Sequence, residues 1–131
     1  MAYRWVEHTA ELELALEGPT EAAVFAAALA ALAELLGEGA AGEPVELELS
    51  LSARDGAALL ASWLDELVYR AETEDLIPEA AERLTIEGGA LRARVRARRG
   101  RPRHLVKGVT YHRLSLAPAQ GGYRATVVLD V

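Results

Sequence analysis

Leu84-Thr85-Ile86-Glu87-Gly88-Gly89-Ala90-Leu91-Arg92-Ala93-Arg94-Val95-Arg96-Ala97-Arg98 alternates apolar and polar side chains on both sides of a glycine pair. Period-two alternation marks half-buried strands, and adjacent glycines accept the positive φ of a two-residue hairpin loop. The stretch therefore predicts an antiparallel hairpin. Upstream, Leu12 to Glu17 and Val45 to Leu51 alternate in the same way. Downstream, a second hairpin is expected, with arms from Gly108 to Leu116 and from Tyr123 to Val131, joined across Pro118-Ala119-Gln120-Gly121-Gly122.

Two segments follow a helical period instead. Val24, Phe25, Ala28, Leu29, Leu32, Leu35 and Leu36 recur at three- and four-residue steps between Thr20, an N-cap residue type, and Gly37, a stop. This predicts an amphipathic helix. In the second segment Leu59, Leu60, Trp63, Leu64, Leu67 and Val68 form one stripe, with Ser52 and Asp55 as the expected capping box and Pro78 as the barrier to continuation. The expected order is two short strands, helix, strand, helix and about four antiparallel strands. That order predicts an α+β fold, a two-layer sandwich with two helices packed on one face of a mainly antiparallel sheet.

The 131 residues suit a single domain, and 51% hydrophobic with 26% charged residues is an ordinary globular composition. Cysteine is absent, which excludes disulfides, thiolate metal sites and a cysteine nucleophile together. Asparagine is also absent, a depletion that fits a protein exposed to heat. No basic segment followed by an apolar run opens the sequence, and the apolar run from Ala22 to Leu36 is too short to span a bilayer. The reading is a cytoplasmic protein with no membrane partner. Motifs for phosphate cradles, dinucleotide folds, zinc proteases and serine hydrolases are missing.

The net charge of −6 conceals a division. Residues 1–91 carry 4 basic and 19 acidic side chains, whereas residues 92–131 carry 10 basic and 1 acidic. Arg92, Arg94, Arg96, Arg98, Arg99, Arg101 and Arg103 supply most of the excess. Such a run has two readings: contacts to phosphate or to an acidic partner, or a solvated strand face paired with neighbours such as Glu46 and Glu48. No aromatic residue interleaves the run, which argues against reading single-stranded RNA by stacking. Gly100-Arg101-Pro102-Arg103 interrupts it and is expected to be a loop.

His8, His104 and His112 are the only histidines and offer a three-histidine metal site as one arrangement. The carboxylates offer another. Glu11 and Asp130 meet if the first strands pair with the last, with the carboxylate of Val131 beside them. Oxygen donors alone suit a hard divalent cation. A solvated chain end is the plain alternative.

Four fragments resemble the archease family in order and spacing: Glu7-His8-Thr9-Ala10-Glu11, Trp63-Leu64-Asp65-Glu66-Leu67, Val109-Thr110-Tyr111-His112 and Val128-Leu129-Asp130-Val131. Together they extend over essentially the whole chain. The resemblance implies one archease-like domain acting as an accessory protein, not as an enzyme with its own substrate. Archeases assist RtcB-type RNA ligases, which join tRNA halves using GTP and manganese, by promoting ligase guanylylation and multiple turnover. The resemblance also implies a second partner class, a tRNA methyltransferase modulated in a chaperone-like way. The family's metal site matches Glu11, Asp130 and Val131, with Glu where the family usually has Asp. Calcium is the expected ion because its flexible coordination accommodates one extra methylene. His8, His112 and Asp65 are then expected around the site or facing a partner. A small metal-dependent hydrolase built on Glu11, Asp130 and His8, and a plain RNA-binding module built on the arginines, remain the competing readings. The oligomeric state stays open.

Overall fold

The Gly88-Gly89 hairpin forms as expected, with φ of 56° and 80° at the two glycines. The structure, a computed structural model, describes residues 2–8, 10–37 and 40–131. In chain order the elements are β1 (Ala2–His8), β2 (Glu11–Gly18), α1 (Glu21–Gly37), β3 (Pro44–Ser52), α2 (Gly56–Glu74), β4 (Leu76–Glu87), β5 (Ala90–Arg99), β6 (Gly108–Ala119) and β7 (Gly122–Asp130). Every strand pair is antiparallel. The α+β class is as expected, but the strands form two sheets rather than one: β1-β2-β7-β6 and β3-β5-β4.

The composition of α1 explains the second sheet. Val24, Phe25, Ala27, Ala28, Leu29, Ala31, Leu32, Ala33 and Leu36 are all buried, so the helix is covered around most of its circumference rather than along one stripe. A helix that is apolar nearly all round needs cover on both sides. It touches β4 of one sheet and β1, β2 and β7 of the other, while α2 touches β6 on one side and β3 and β4 on the other. The helices thus join the sheets instead of lying on one face of a single sheet. Leu14, Leu16, Val127 and Leu129 from one sheet and Leu47, Leu49, Leu91, Val95 and Ala97 from the other enter a common core with both helices.

Local chemistry sets the boundaries. Thr20 Oγ1 accepts from Ala23 N at 3.1 Å, the expected cap of α1. The cap of α2 is Asp55, whose Oδ1 accepts from Ala58 N at 2.8 Å, and Ser52 is the last residue of β3. The expected Ser52 cap is therefore displaced by three residues, because the β3–β5 ladder continues through Ser52 and Ala90. At the other end Asp75, at φ 53°, donates its N–H to Arg70 O, so α2 stops before Pro78. Pro78 lies within β4, an edge strand where a missing N–H is tolerated.

Candidate functional site

Pairing in the first sheet aligns four residues in one row across all its strands. His8 of β1 faces Glu11 of β2, Glu11 faces Asp130 of β7, and Asp130 faces Gly108 of β6. Directly opposed residues in an antiparallel sheet project on the same side. Alternation sends Leu12, Leu14, Val127 and Leu129 to the core, so Glu11, Glu13 and Asp130 share the outer side. Val131 N donates to Ala10 O at 3.2 Å, tying the last residue to the β1–β2 turn beside Glu11. Lys107 N donates to Asp130 O at 2.7 Å. The expected neighbours Glu11, Asp130 and Val131 are thus together, and His8 and His112 lie around them. Thr9 of the same motif lies outside the described residues.

Two residues not expected at the site complete it: Glu13 and Arg113. Arg113 Nε donates to Glu13 Oε1 at 3.0 Å, and its Nη2 lies 3.4 Å from Glu11 Oε1. His112 Nδ1 is 3.7 Å from Glu11 Oε2, and His8 Nε2 is 3.3 Å from Glu13 Oε1. One guanidinium therefore bridges two carboxylates, with an imidazole on each. Arg113 Nη1 also lies 3.3 Å from both ring nitrogens of His112. Asp130 is half-buried, and its carboxylate has no ion pair among the described residues.

The backbone of β6 makes this possible. Thr110 pairs with Val128 and Ser115 with Thr126, so residues 111–114 stand opposite the single position Val127. Extra residues leave the ladder and re-aim side chains. Within this bulge Arg113 has φ 59°, the left-handed region, and His112 N donates to Thr110 Oγ1 at 3.1 Å. Glu13 was legible as the next outward residue after Glu11; Arg113 was not, because the bulge breaks the alternation on which its direction would be read.

The donor set of Glu11, Asp130 and Val131 contains oxygen only, the chemistry of a hard divalent cation. In the present arrangement both Glu11 oxygens lie near cation-forming groups, Arg113 and His112. Among the described residues no three His, Asp or Glu side chains converge closely enough to hold an ion. The three-histidine arrangement is likewise not formed, and His8 pairs with Glu13 instead.

Asp65 is exposed on α2, and a methyl group added at Gly108 would come 4.0 Å from its Oδ1. Asp65 thus stands beside the β6 end of the His8-Glu11-Asp130-Gly108 row. The neighbouring Glu66 is bound to Arg70 at 2.8 Å within its own helix.

On the second sheet the arginines are largely matched by carboxylates. Arg94 pairs with Glu48 at 2.9 Å, Arg96 with Glu79 and Glu82 at 3.1 Å each, and Arg98 with Glu79 at 2.6 Å. Arg103 also has a partner, whereas Arg92, Arg99 and Arg101 are exposed and carry no ion pair among the described residues. Glu48 is a partner as expected, but Glu46 is not. It stands beside Glu82, whose hydrogen bond, followed by partial loss of water and charge repulsion, holds the Glu46 carboxyl above its ordinary range against the pull of Arg94 and Arg96. A carboxyl raised on folding favours the folded state at low pH, and this contribution is lost as pH rises through the raised value. Glu46→Gln is therefore expected to raise the melting temperature slightly at pH 7 and to lose that gain below pH 4.5. Paired thermal melts check this, and an unchanged or lower melting temperature at pH 7 would remove the repulsion argument.

No helix among the described residues is long and apolar enough to cross a membrane. The family described as the archease protein family (MTH1598/TM1083) matches residues 3–131. The protein archease of Methanosarcina mazei is 31% identical, with 98% of this chain and 95% of that protein covered. The protein archease of Archaeoglobus fulgidus is 29% identical over the whole of both chains. The solution structure of Methanobacterium thermoautotrophicum protein 1598 has a TM-score of 0.76 at 24% identity, covering 98% of each chain. The crystal structure of an archease from Thermotoga maritima, described as a possible chaperone, has a TM-score of 0.72 at 21% identity, covering 100% of this chain and 98% of that one. These two likenesses establish the same fold, and the match over residues 3–131 establishes more: the chain belongs to the archease family.

Proposed function

We propose that this protein is a non-catalytic, cytoplasmic accessory of an RtcB-type tRNA-splicing ligase that promotes ligase guanylylation and repeated turnover through its acidic tip. Family membership supports the partner class, and the observation carrying the tip is the direct opposition of Glu11 and Asp130 across β2 and β7. Glu11, Asp130 and Val131 are the residues that would hold a divalent ion, calcium in the first place. Such an ion, when bound, neutralises carboxylates and orients phosphate oxygens. The chain's own part is to present these donors on a sheet end, with His8 and His112 next to the carboxylates and Asp65 facing the partner.

The test is multiple-turnover ligation of tRNA halves by an RtcB-type ligase with GTP and manganese, with this protein or its Asp130→Ala variant added. The native protein is expected to accelerate turnover, and the variant to leave it at the rate of ligase alone while keeping its circular dichroism spectrum. No acceleration by the native protein beside an active cognate ligase would sink the reading.

A second reading, a chaperone-like or RNA-binding modulator of a tRNA methyltransferase, draws on the exposed Arg92, Arg99 and Arg101, which carry no ion pair among the described residues. Phosphate contacts by these residues would make RNA affinity fall steeply with added salt.

A further inference from the structure

We propose that the outer face of the β3-β5-β4 sheet carries a phosphate site toward its Gly88-Gly89 end, formed by Arg83, Arg92 and Arg94, and that its ligand is the backbone of double-stranded RNA. The inference rests on the RNA-binding reading given above and deepens it, by fixing which arginines meet phosphate and in which form of nucleic acid.

Two rows of the sheet build the site. Glu48 of β3, Arg94 of β5 and Arg83 of β4 are directly opposed, and in the next row Ser50, Arg92 and Thr85 are. Opposed residues project on the same side, so all six stand on the outer face, away from the buried Leu91, Ala93 and Val95. The three arginines, with Thr85 and Glu48, line an open depression of about 310 Å³. Glu48 holds Arg94 at 2.9 Å, while the exposed side chains of Arg83 and Arg92 make no ion pair or hydrogen bond among the described residues. Glu87, one row nearer the turn, makes no ion pair with either of them.

The two ends of this face differ in how charge is matched. Arg83 directly opposes Arg94, with about 5 Å between Cβ atoms, an arrangement that destabilises a strand pair unless an anion lies between. Arg92 precedes Arg94 on the same side of β5, about 7 Å along the strand. Toward the other end Arg96 and Arg98 are bound by Glu79 and Glu82 at 2.6 to 3.1 Å. The depression is thus left with three guanidinium groups and one carboxylate already taken by Arg94.

Phosphate suits this arrangement better than carboxylate. One planar fork satisfies both oxygens of a carboxylate, whereas a phosphate presents oxygens in several directions, to separate guanidinium groups and to the Ser50 and Thr85 hydroxyls. A free phosphate stays hydrated in so open a place, but a polynucleotide gains counterion release over successive phosphates. No aromatic residue occurs in β3, β4 or β5, so unstacked bases find no platform. A duplex keeps its bases stacked and is recognised through phosphates and sugar hydroxyls, which is what this surface offers.

The experiment is fluorescence anisotropy of a labelled RNA duplex of about 16 base pairs with the full chain, at about 50 and 200 mM salt. Native protein is compared with Arg83→Gln/Arg92→Gln and with Arg99→Gln/Arg101→Gln, which removes the same charge from arginines that also carry no ion pair among the described residues. Both variants are expected to keep the native circular dichroism spectrum. Native affinity is expected to fall about fortyfold between the two salt concentrations, as three phosphate contacts require. Arg83→Gln/Arg92→Gln is expected to weaken binding about tenfold or more at low salt and to reduce the salt slope by about two, with a much smaller change in the other variant. Equal losses in both variants, or a loss confined to Arg99→Gln/Arg101→Gln, overturn the site while leaving RNA binding standing. Tighter binding of the single strand overturns the duplex, and polyglutamate competing as well as RNA overturns the phosphate assignment. Absence of RNA binding by native protein at low salt overturns the site together with the RNA-binding reading, even where inorganic phosphate alone raises the melting temperature.

Discussion

Trp63→Ala is expected to lower folding stability by about 3–5 kcal/mol, the cost of truncating a large buried aromatic, and the melting temperature by roughly 10 °C or more. Trp63 is the largest of the fully buried side chains. Its Nε1 donates to Phe25 O at 2.9 Å, and the two rings lie 6.5 Å apart, so a single side chain pins α2 to α1. Because both helices touch both sheets, a cavity here loosens all the layers at once. Trp63→Phe separates the two contributions. It keeps much of the apolar volume and loses the hydrogen bond, worth about 1 kcal/mol. Thermal melts followed by circular dichroism decide the matter, and a fall of less than about 3 °C for Trp63→Ala would mean that the helices are held together by something other than this ring.

Gly122→Ala should be the second large effect, about 1–3 kcal/mol, because the added carbon has nowhere to go. It would stand 2.2 Å from Gly18 O and 2.9 Å from Pro19 Cα, both backbone atoms, which cannot swing aside as a side chain would. The neighbouring Gly121 is a useful contrast: at φ 76° it has nothing within 4 Å of an added carbon among the described residues, so alanine there meets conformational strain rather than a clash. Urea midpoints are expected to fall further for Gly122→Ala than for Gly121→Ala. The reverse order would show that the close approach of β2 and β7 at this end is easily relaxed. Gly122 is at the opposite end of β7 from Asp130, so any accompanying loss of tip function would arise from strand register.

Most elements were legible because their chemistry is local. The alternation around Gly88-Gly89, Thr20 as a cap and the stripe through Trp63 each depend on residues within a few positions of one another. The division into two sheets is not local. Its sign was present in the run from Ala22 to Leu36, whose sole charge is Glu34, but an apolar helix can be buried by several different partners. Ser52 and Asp55 are both N-cap residue types, and the choice between them was made by how far β3 continues to pair. At the site, Glu11 and Asp130 followed from pairing the first strands with the last, and Glu13 followed from alternation. Arg113 reaches them through an irregular backbone, and periodicity says nothing about where an irregular residue points.

The opposition of Glu11 and Asp130 also has a temporal side. These residues lie far apart in the sequence, and pairing at such separation closes a long loop whose entropy must be offset by the contacts it brings together. On a ribosome, β2 can pair with β1 at once, but its second partner, β7, emerges only after α1, α2 and β3 to β6. The tip therefore exists only once β7 has paired with β2, and a ligand that recognises it selects copies in which both strands are in place. By mass action that same ligand would hold the whole domain shut against unfolding, since releasing β7 would dissolve the tip and the core layer behind it together.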